Sequence, residues 1–298
     1  MLKLKKDKPK VINIGLEKFA VDLKTQGIDV VNLLWKPPLP VENSYHHKIN
    51  SLSENIIAPA NKKALEIINS GKAVLTGMDV ALKVIPGMHK DLILHSGPPI
   101  SWDRMCGPMR GAIIGALIYE DRAKNAEEAE KLAASGKIEF APCHEHNCTG
   151  PMAGIISPSM PVFIIKNESY GNFTYATQNE GLGKVLRYGA YSEEVISRLK
   201  WMEKVLYPVL KRAIEYAGTI NIQGLIAQAL NMGDELHNRN RAGTSLFIRQ
   251  IAPAIIKTMT DPEESAAALD FINSNDHFFL NLSMPASKAI LDPARNIS

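Results

Sequence analysis

Short apolar runs alternate with helical segments in the first part of the chain, and this alternation constrains the fold more than any other feature. Segments of helical periodicity, such as Ala58–Ser70 with Gly71 as its expected C-cap, separate these runs. Because βαβ units place successive strands in parallel, we predict an α/β fold whose first part is a parallel sheet covered by helices. The runs read as buried strands are Val11–Gly15, Val30–Trp35, Ala73–Met78 and Leu92–His95.

Helical patterns dominate the second part of the chain. Val195–Ala217 predicts one long helix with a bend at Pro208, because proline removes a helical hydrogen bond. Further helices are predicted at Leu225–Met232, Thr244–Ile256 and Pro262–Ile272. We therefore predict two domains, an α/β domain over residues 1–140 and a helix-rich domain over residues 141–298.

The composition excludes several classes of function. The chain has 298 residues, 45% of them hydrophobic and 22% charged, and a formal net charge of +3, which gives no strong field for nucleic acid or membrane. No apolar run approaches the roughly 18 residues that span a bilayer, and no apolar stretch typical of a signal peptide follows the basic start. Three cysteines without such a signal predict reduced thiols and a cytoplasmic protein.

Two thiols, two imidazoles and a carboxylate are concentrated in the run from Cys143 to Cys148. If the segment is extended, His144 and His146 point to one side, and Glu145 lies between them. Cys143, His144, His146 and Cys148 are the residue types that bind zinc, but their spacing matches no standard zinc motif. The sequence favours a metal-free catalytic or ligand site over a divalent metal site, and a polar structural turn remains the third alternative.

A second polar run joins the end of a predicted strand to the start of a helix. It contains His95, Gly97, Arg104, Gly107 and Arg110. Backbone N–H groups at a helix start and two arginines favour a carboxylate or phosphate, although the glycines also fit two tight turns. Small residues along the predicted helix from Pro108 to Asp121 allow a close approach of its backbone to a neighbouring helix or a ligand.

The third run is Met232–Arg241. On a helix, Asp234, His237 and Asn238 would share one face, and Asp234 would orient His237 for acid–base chemistry. A solvated helix end is the alternative interpretation. A glycine-rich segment, Asn179–Lys184, resembles a loose phosphate cradle, although such a segment is more often only a helix start.

Taken together, these motifs resemble the YlbE-like family, whose members have unknown function and occur beside FdrA-type proteins in purine and allantoin utilisation clusters. Some members are assigned as the AllG-type subunit of an oxamate carbamoyltransferase. The resemblance extends over nearly the whole chain from Val11 onward. It rests on Val84–Met88, Leu94–Ile100, Met105–Ala112, Pro142–His146, Asn179–Arg187, Met232–Glu235 and His237–Asn240.

The resemblance implies that oxalurate and phosphate are converted to oxamate and carbamoyl phosphate by a multi-subunit enzyme with an FdrA-type partner. Two features depart from the family pattern. Family members continue past Arg295, so we expect this chain to lack a C-terminal segment, and Leu236 stands where the family commonly has a cysteine.

From chemistry alone, we predict a site for a small anionic substrate, and the resemblance implies that this site belongs to an oligomeric complex. Its predicted catalytic residues are His144, Glu145, His146, Asp234 and His237. Its predicted anion-binding residues are His95, Gly97, Arg104, Gly107, Arg110, Asn238 and Arg239. Two alternatives remain open, a non-catalytic scaffold for an FdrA-type protein and a metal-dependent hydrolase.

Overall fold

A computed structural model of the chain describes residues 9–36, 43–295 and 297. Its internal contacts divide the chain into two compact units, Met1–Pro59 and Ala60–Ser298. The predicted boundary at residue 140 stays a prediction. Within the described residues, no helix is both long enough and apolar enough to cross a bilayer.

The first unit contains the βαβ arrangement that its sequence predicts. Strand β1 (Lys10–Ile14) pairs in parallel with β2 (Asp29–Leu33), and helix α1 (Glu17–Thr25) connects them. Helix α2 (Asn43–Leu52) follows and continues into a π-helical turn at Ser53–Ile57. The apolar pattern had not predicted α2, which contains two histidines and no buried residue among those described.

The largest sheet belongs to the second unit and is antiparallel. Helix α3 (Ala58–Ser70) leads into β3 (Ala73–Val80), which pairs with β6 (Pro161–Asn167) and with the short β8 (Ile220–Asn221). Strand β7 (Phe173–Thr177) pairs with the other edge of β6. The α/β class is confirmed, but the expectation that β3 continues the first parallel sheet is wrong. Apolar runs locate strands but do not select partners, and β6 is apolar enough to occupy an interior position.

A separate parallel pair carries two of the predicted polar runs. Strand β4 (Leu92–His95) follows the short helix α4 (Ala81–Val84) and pairs with β5 (Glu139–Pro142), so that His95 lies opposite Pro142. The connection contains α5 (Gly107–Tyr119) and α6 (Ala126–Ala134). Because the two strands are parallel, the segments that follow His95 and Pro142 both begin at the carboxyl-terminal end of the pair.

The rest of the second unit is largely helical, as predicted. The predicted long helix is present, and its irregularity falls at Met202–Leu206, a π-helical turn that directly precedes the turn containing Pro208. The helices are α7 (Glu193–Trp201), α8 (Tyr207–Ala217), α9 (Ile222–Asn231), α10 (Arg241–Thr258), α11 (Pro262–Ser274) and α12 (Leu280–Leu291).

Helix α12, which the sequence had not predicted, packs on the sheet next to an aromatic core. The Phe278 ring lies 6.0 Å from Phe163 and 5.9 Å from Phe247, measured between centroids. Directional bonds add to this packing. The hydroxyl of Thr174 donates to the Pro285 carbonyl at 2.7 Å. The side-chain amides of Asn167 and Asn172 both donate to the Ala289 carbonyl at 2.9 Å. The sheet therefore holds α12 by hydrogen bonds as well as by apolar contact.

Candidate functional site

A pocket in the second unit lies between the end of α5, the loop after Gly150, the end of β7 and the segment around Arg187. The cavity volume open to the centre of a water-sized sphere is about 40 Å³, and all the space between its atoms, including open solvent at the mouth, is about 540 Å³. Apolar side chains such as Ile155, Met160 and Leu199 form much of its wall. Its polar residues are Tyr119, Thr177, Gln178, Glu180, Arg187 and Asn281. An apolar pocket with a few fixed polar groups is the usual form of a small-molecule site.

Glu180 and Arg187 form a reciprocal clasp at the pocket. The Glu180 carboxylate accepts the backbone N–H groups of Leu186 at 2.9 Å and Arg187 at 3.2 Å. Arg187 Nη2 donates in return to the Gly181 carbonyl at 2.8 Å. Burial raises the pKa of Glu180, although these backbone bonds oppose the rise. Burial lowers the pKa of Arg187. The clasp closes the ends of a turn in which Gly181 and Gly183 adopt φ of +100° and +87°, a conformation that favours glycine.

Three buried donors at the pocket have no hydrogen-bond partner among the described residues. They are the Tyr119 hydroxyl, Gln178 Nε2 and Arg187 Nε. Gln178 is 5% exposed and Arg187 is 7% exposed. A buried donor without a partner costs about 1–3 kcal/mol, so three of them in one pocket indicate a ligand that carries acceptor atoms.

Tyr119 lines the same pocket from the end of α5 and is almost fully buried. Burial, followed by the nearby carboxylate of Glu203, raises the pKa of its hydroxyl. The phenol therefore stays protonated at neutral pH and offers a neutral donor rather than a phenolate.

The predicted Cys–His run forms a 3₁₀ turn at Cys143–His146, directly after β5. The Cys143 thiol donates to the Gly154 carbonyl at 3.1 Å, and the Cys148 thiol donates to the His146 carbonyl at 3.2 Å. Burial raises the pKa of Cys143 to about 12 and that of Cys148 well above its ordinary value. Both thiols are therefore protonated packing groups at neutral pH.

One histidine of this run is exposed, and the other is half-buried against the segment at Pro86. His144 and Glu145 are exposed, and His146 Nδ1 donates to the Pro86 carbonyl at 2.8 Å. Gly87 makes room for this ring, because a Cβ there would lie 3.3 Å from His146 Cε1. Among the described residues, no three His, Cys, Asp or Glu side chains gather closely enough to hold a metal ion. The donor set Cys143, His144, His146 and Cys148 therefore does not fit a metal.

The second predicted run contains one deeply buried residue. His95 is fully buried, its Nδ1 donates to the Ser96 carbonyl at 2.9 Å, and its Nε2 has no partner in the part of the chain that the structure describes. Gly97, Arg104 and Gly107 are exposed. Arg110 is half-buried, donates through Nη2 to the Asp103 carbonyl at 2.6 Å, and stacks 5.4 Å from the centre of the Trp102 ring.

The third predicted run is a turn rather than a helix, because α9 ends at Asn231 and α10 begins at Arg241. Asp234 accepts the backbone N–H of Gly243 at 2.8 Å, and Glu235 accepts those of Asn238 and Arg239. Carboxylates that bond to nearby N–H groups in this way compete with helix formation, so the predicted shared helical face is wrong. The side chains of His237, Asn238 and Arg239 are exposed.

Direct contacts connect these runs to the pocket. The backbone N–H of Ser96 donates to the Ala153 carbonyl at 2.9 Å, and the N–H of Ala153 donates to the Arg187 carbonyl at 3.1 Å. Helix α5 approaches the same segment, since a Cβ on Gly111 would lie 2.3 Å from the Gly189 carbonyl oxygen. This confirms the close approach that the small residues of α5 predict. The backbones that follow β4 and β5 therefore meet beside Arg187.

The third run ends beside His277, since Arg241 Nε lies 3.8 Å from the carboxylate of the adjacent Asp276. Burial, followed by the charges of Arg187 and His237, lowers the pKa of His277. Of the predicted catalytic side chains, His144, Glu145 and His237 lie on the outside of this chain.

The sequence had not predicted any of the six polar residues of the pocket as a site residue. They are Tyr119, Thr177, Gln178, Glu180, Arg187 and Asn281. Glu180 and Arg187 lie inside the Asn179–Arg187 motif, where the glycines and Lys184 had drawn attention to phosphate binding instead. Gln178 and Asn179 directly follow the apolar strand β7. A polar pair at the end of such a strand is the signal that identifies this edge of the site.

The structure is that of a mixed α/β protein with a pocket between a sheet strand and helices. The sequence profile of a family described as oxamate carbamoyltransferase subunit AllG matches residues 138–298. The oxamate carbamoyltransferase subunit AllG of Escherichia coli K12 is 40% identical over 238 residues, which are 79% of this chain and 57% of that protein. The chain belongs to the AllG family.

Two further relatives have no stated activity. The uncharacterized protein YahG of Escherichia coli K12 is 45% identical over 291 residues, which are 96% of this chain and 62% of that protein. The crystal structure of a conserved protein of unknown function from Enterococcus faecalis V583 superposes with a TM-score of 0.79 and 44% identity. The match covers 81% of this chain and 58% of that one. The chain thus spans less than two thirds of the length of these relatives.

Proposed function

We propose that this chain is a subunit of a carbamoyltransferase complex that interconverts oxalurate and phosphate with oxamate and carbamoyl phosphate. The pocket at Arg187 holds the small anionic substrate. A complex with an FdrA-type subunit supplies the rest of the active site. The family membership and the relative named AllG support the reaction class.

The observation that carries this proposal is the buried guanidinium of Arg187. It lines the pocket, its Nε has no partner among the described residues, and the neighbouring carboxylate of Glu180 is already bonded to two backbone N–H groups. A guanidinium recognises carboxylate and phosphate through paired donors, so a free N–H on a buried arginine suits an anionic ligand.

The residues predicted from sequence form an outer ring in this proposal. His144, Glu145 and His237 would transfer or orient protons only after another subunit excludes water from them. Water weakens the electrostatic interactions of an exposed histidine with its neighbours. His146, Asp234 and His95 would orient these groups through their backbone bonds. Gly97, Arg104, Gly107, Arg110, Asn238 and Arg239 would hold phosphate or carboxylate at the mouth.

Three free cysteines are consistent with a cytoplasmic location for this complex, which we also propose. Two of the thiols are buried and protonated, which makes them unreactive towards oxidants.

Partner binding is required for the proposed chemistry, because another subunit must shield the exposed histidines from water.

The test is turnover by the reconstituted complex. The chain is purified together with its FdrA-type partner, and carbamoyl phosphate formation from oxalurate and phosphate is measured. Arg187→Met removes charge-assisted hydrogen bonds of about 1.5–3 kcal/mol, so kcat/KM should fall about 10- to 100-fold. Arg249→Met, on the exposed face of α10, is the matched control and should leave turnover unchanged.

Equal turnover of Arg187→Met and Arg249→Met would remove the pocket from the mechanism. Arg110→Ala should also abolish turnover while preserving the fold, and unchanged turnover would exclude Arg110. Activity of the partner subunit alone would assign the chemistry to the partner and leave this chain as its scaffold.

A further inference from the structure

Gln178 is held between two residues whose backbones are fixed by buried asparagines. Asn281 Nδ2 donates to the Thr177 carbonyl at 2.7 Å, on one side of Gln178. Asn275 Nδ2 donates to the Asn179 carbonyl at 2.8 Å, on the other side. The side chains of Asn179 and Asn281 also bond to each other at 2.7 Å. The backbone at Gln178 therefore has little freedom to move.

The side chain of Gln178 contrasts with this framework. The amides of Asn179, Asn275 and Asn281 all find protein partners, whereas Gln178 Nε2 is buried in the pocket without one. A pre-positioned group with unused hydrogen-bonding capacity is the arrangement expected of a residue that contacts a ligand.

We propose that Gln178 is the specificity-determining residue of this pocket, selecting an anion that carries an amide or ureido group over a dicarboxylate of the same size. This inference rests on the proposed function, which places a small anion at Arg187. Arg187 binds the ligand's carboxylate. Gln178 donates from Nε2 to the carbonyl oxygen at the other end and accepts from the ligand's N–H through Oε1.

The charges of the pocket support this division of roles. Arg187 supplies one positive charge, and Glu180 adds a carboxyl group to the same lining. A dicarboxylate would bring a second negative charge into a buried space that already contains a carboxyl group and only one guanidinium. Burying a charge without a partner is unfavourable, whereas a neutral amide end adds no charge and matches both atoms of the Gln178 amide.

The experiment compares oxamate with oxalate, which differ by one amide-for-carboxylate exchange. Calorimetric titration of the complex with each probe should give at least tenfold tighter binding of oxamate. Gln178→Met, which keeps the length of the side chain without its polar atoms, should weaken oxamate binding about tenfold and reduce the discrimination to within about threefold. Arg187→Met should weaken both probes by a similar factor, because both carry the carboxylate.

Circular dichroism and thermal unfolding establish that each variant folds. Gln178→Glu is the second variant, since it keeps the shape and introduces a charge. It should weaken oxalate binding more than oxamate binding. Unchanged discrimination in folded Gln178→Met or Gln178→Glu would overturn the inference, as would a wild-type complex that binds both probes equally or binds neither.

The two proposals fail in different ways. If the complex turns over oxalurate and depends on Arg187, but Gln178→Met keeps the wild-type preference for oxamate, only the role of Gln178 is overturned. If Arg187→Met leaves both turnover and oxamate affinity at the level of Arg249→Met, the proposed pocket is overturned as well.

Discussion

Helix α5 lies so close to the segment that carries Arg187 that one methyl group at position 111 should disturb the pocket. A Cβ on Gly111 would lie 2.3 Å from the carbonyl oxygen of Gly189 and 3.1 Å from its carbonyl carbon. Ordinary contact begins near 3.4 Å, so Gly111→Ala requires the two backbones to separate by roughly 1 Å, the difference between 3.4 and 2.3 Å. Neither partner can relieve this contact by a side-chain rotation, because both sides are backbone.

The magnitude follows from two opposing effects. Overpacking of this kind costs about 1–3 kcal/mol, and alanine recovers about 1 kcal/mol of helix propensity relative to glycine. The free energy of unfolding should therefore fall by about 0–2 kcal/mol, and Tm by up to about 8 °C for a domain of this size. Because the Gly189 segment moves, oxamate affinity should fall as well.

Urea titration and differential scanning calorimetry measure the effect on stability. Gly107→Ala is the matched control, since it lies in the same helix and a Cβ there would have no atom within 4 Å. It should be as stable as the wild type or more stable. Equal unfolding free energies for the two variants would refute the argument from close approach.

Three further predictions concern strain, pH and thiol accessibility. Met152 is exposed with φ of +57°, so Met152→Gly should raise the free energy of unfolding by about 0.5–1 kcal/mol in urea titration. The pKa of His277 is lowered from 6.5, chiefly by burial, so below pH 6.5 the unfolded chain binds a proton at His277 more readily than the folded chain does. The free energy of unfolding of the wild type should therefore fall as the pH falls below 6.5, and that of His277→Gln should fall by less. An aromatic disulfide reagent should modify exposed Cys106 in the native protein, and buried Cys143 and Cys148 only after unfolding.

Each of these expectations has a clear contrary result. A less stable Met152→Gly would mean that the surroundings tolerate the positive φ without strain. If the free energy of unfolding falls equally steeply with decreasing pH in wild type and His277→Gln, the proton uptake belongs to another group. Rapid modification of all three thiols in the native protein would contradict the burial of the Cys–His turn.

The α/β class and most helices could be predicted from sequence, whereas the pairing of strands could not. The apolar run at Ala73–Met78 identifies β3, but nothing in its pattern distinguishes a parallel neighbour from the antiparallel β6 that it contacts. Helix α12 was missed because it is buried on several sides and contains Pro285, so it lacks the amphipathic periodicity of a surface helix.

Density of polar residues drew attention to segments that contact the pocket region, but not to the residues that line the pocket. The Cys–His run combines many reactive residue types, yet its thiols bond to carbonyls and His144 faces outward. Arg187 is a single arginine at the end of a glycine-rich motif, and its importance comes from burial. Burial depends on the close approach of α5 and on the clasp with Glu180, which are tertiary features that spacing along the chain does not encode.

The bonds between the sheet and α12 have a consequence for how changes spread through this protein. Carbonyls of Pro285 and Ala289 receive donors from Thr174, Asn167 and Asn172, so a slip by one residue, about 1.5 Å along the axis, would break all of these bonds together. The same helix carries Asn281, which sets the backbone beside the pocket. Substitutions at the far end of α12 should therefore alter ligand selectivity before they prevent folding.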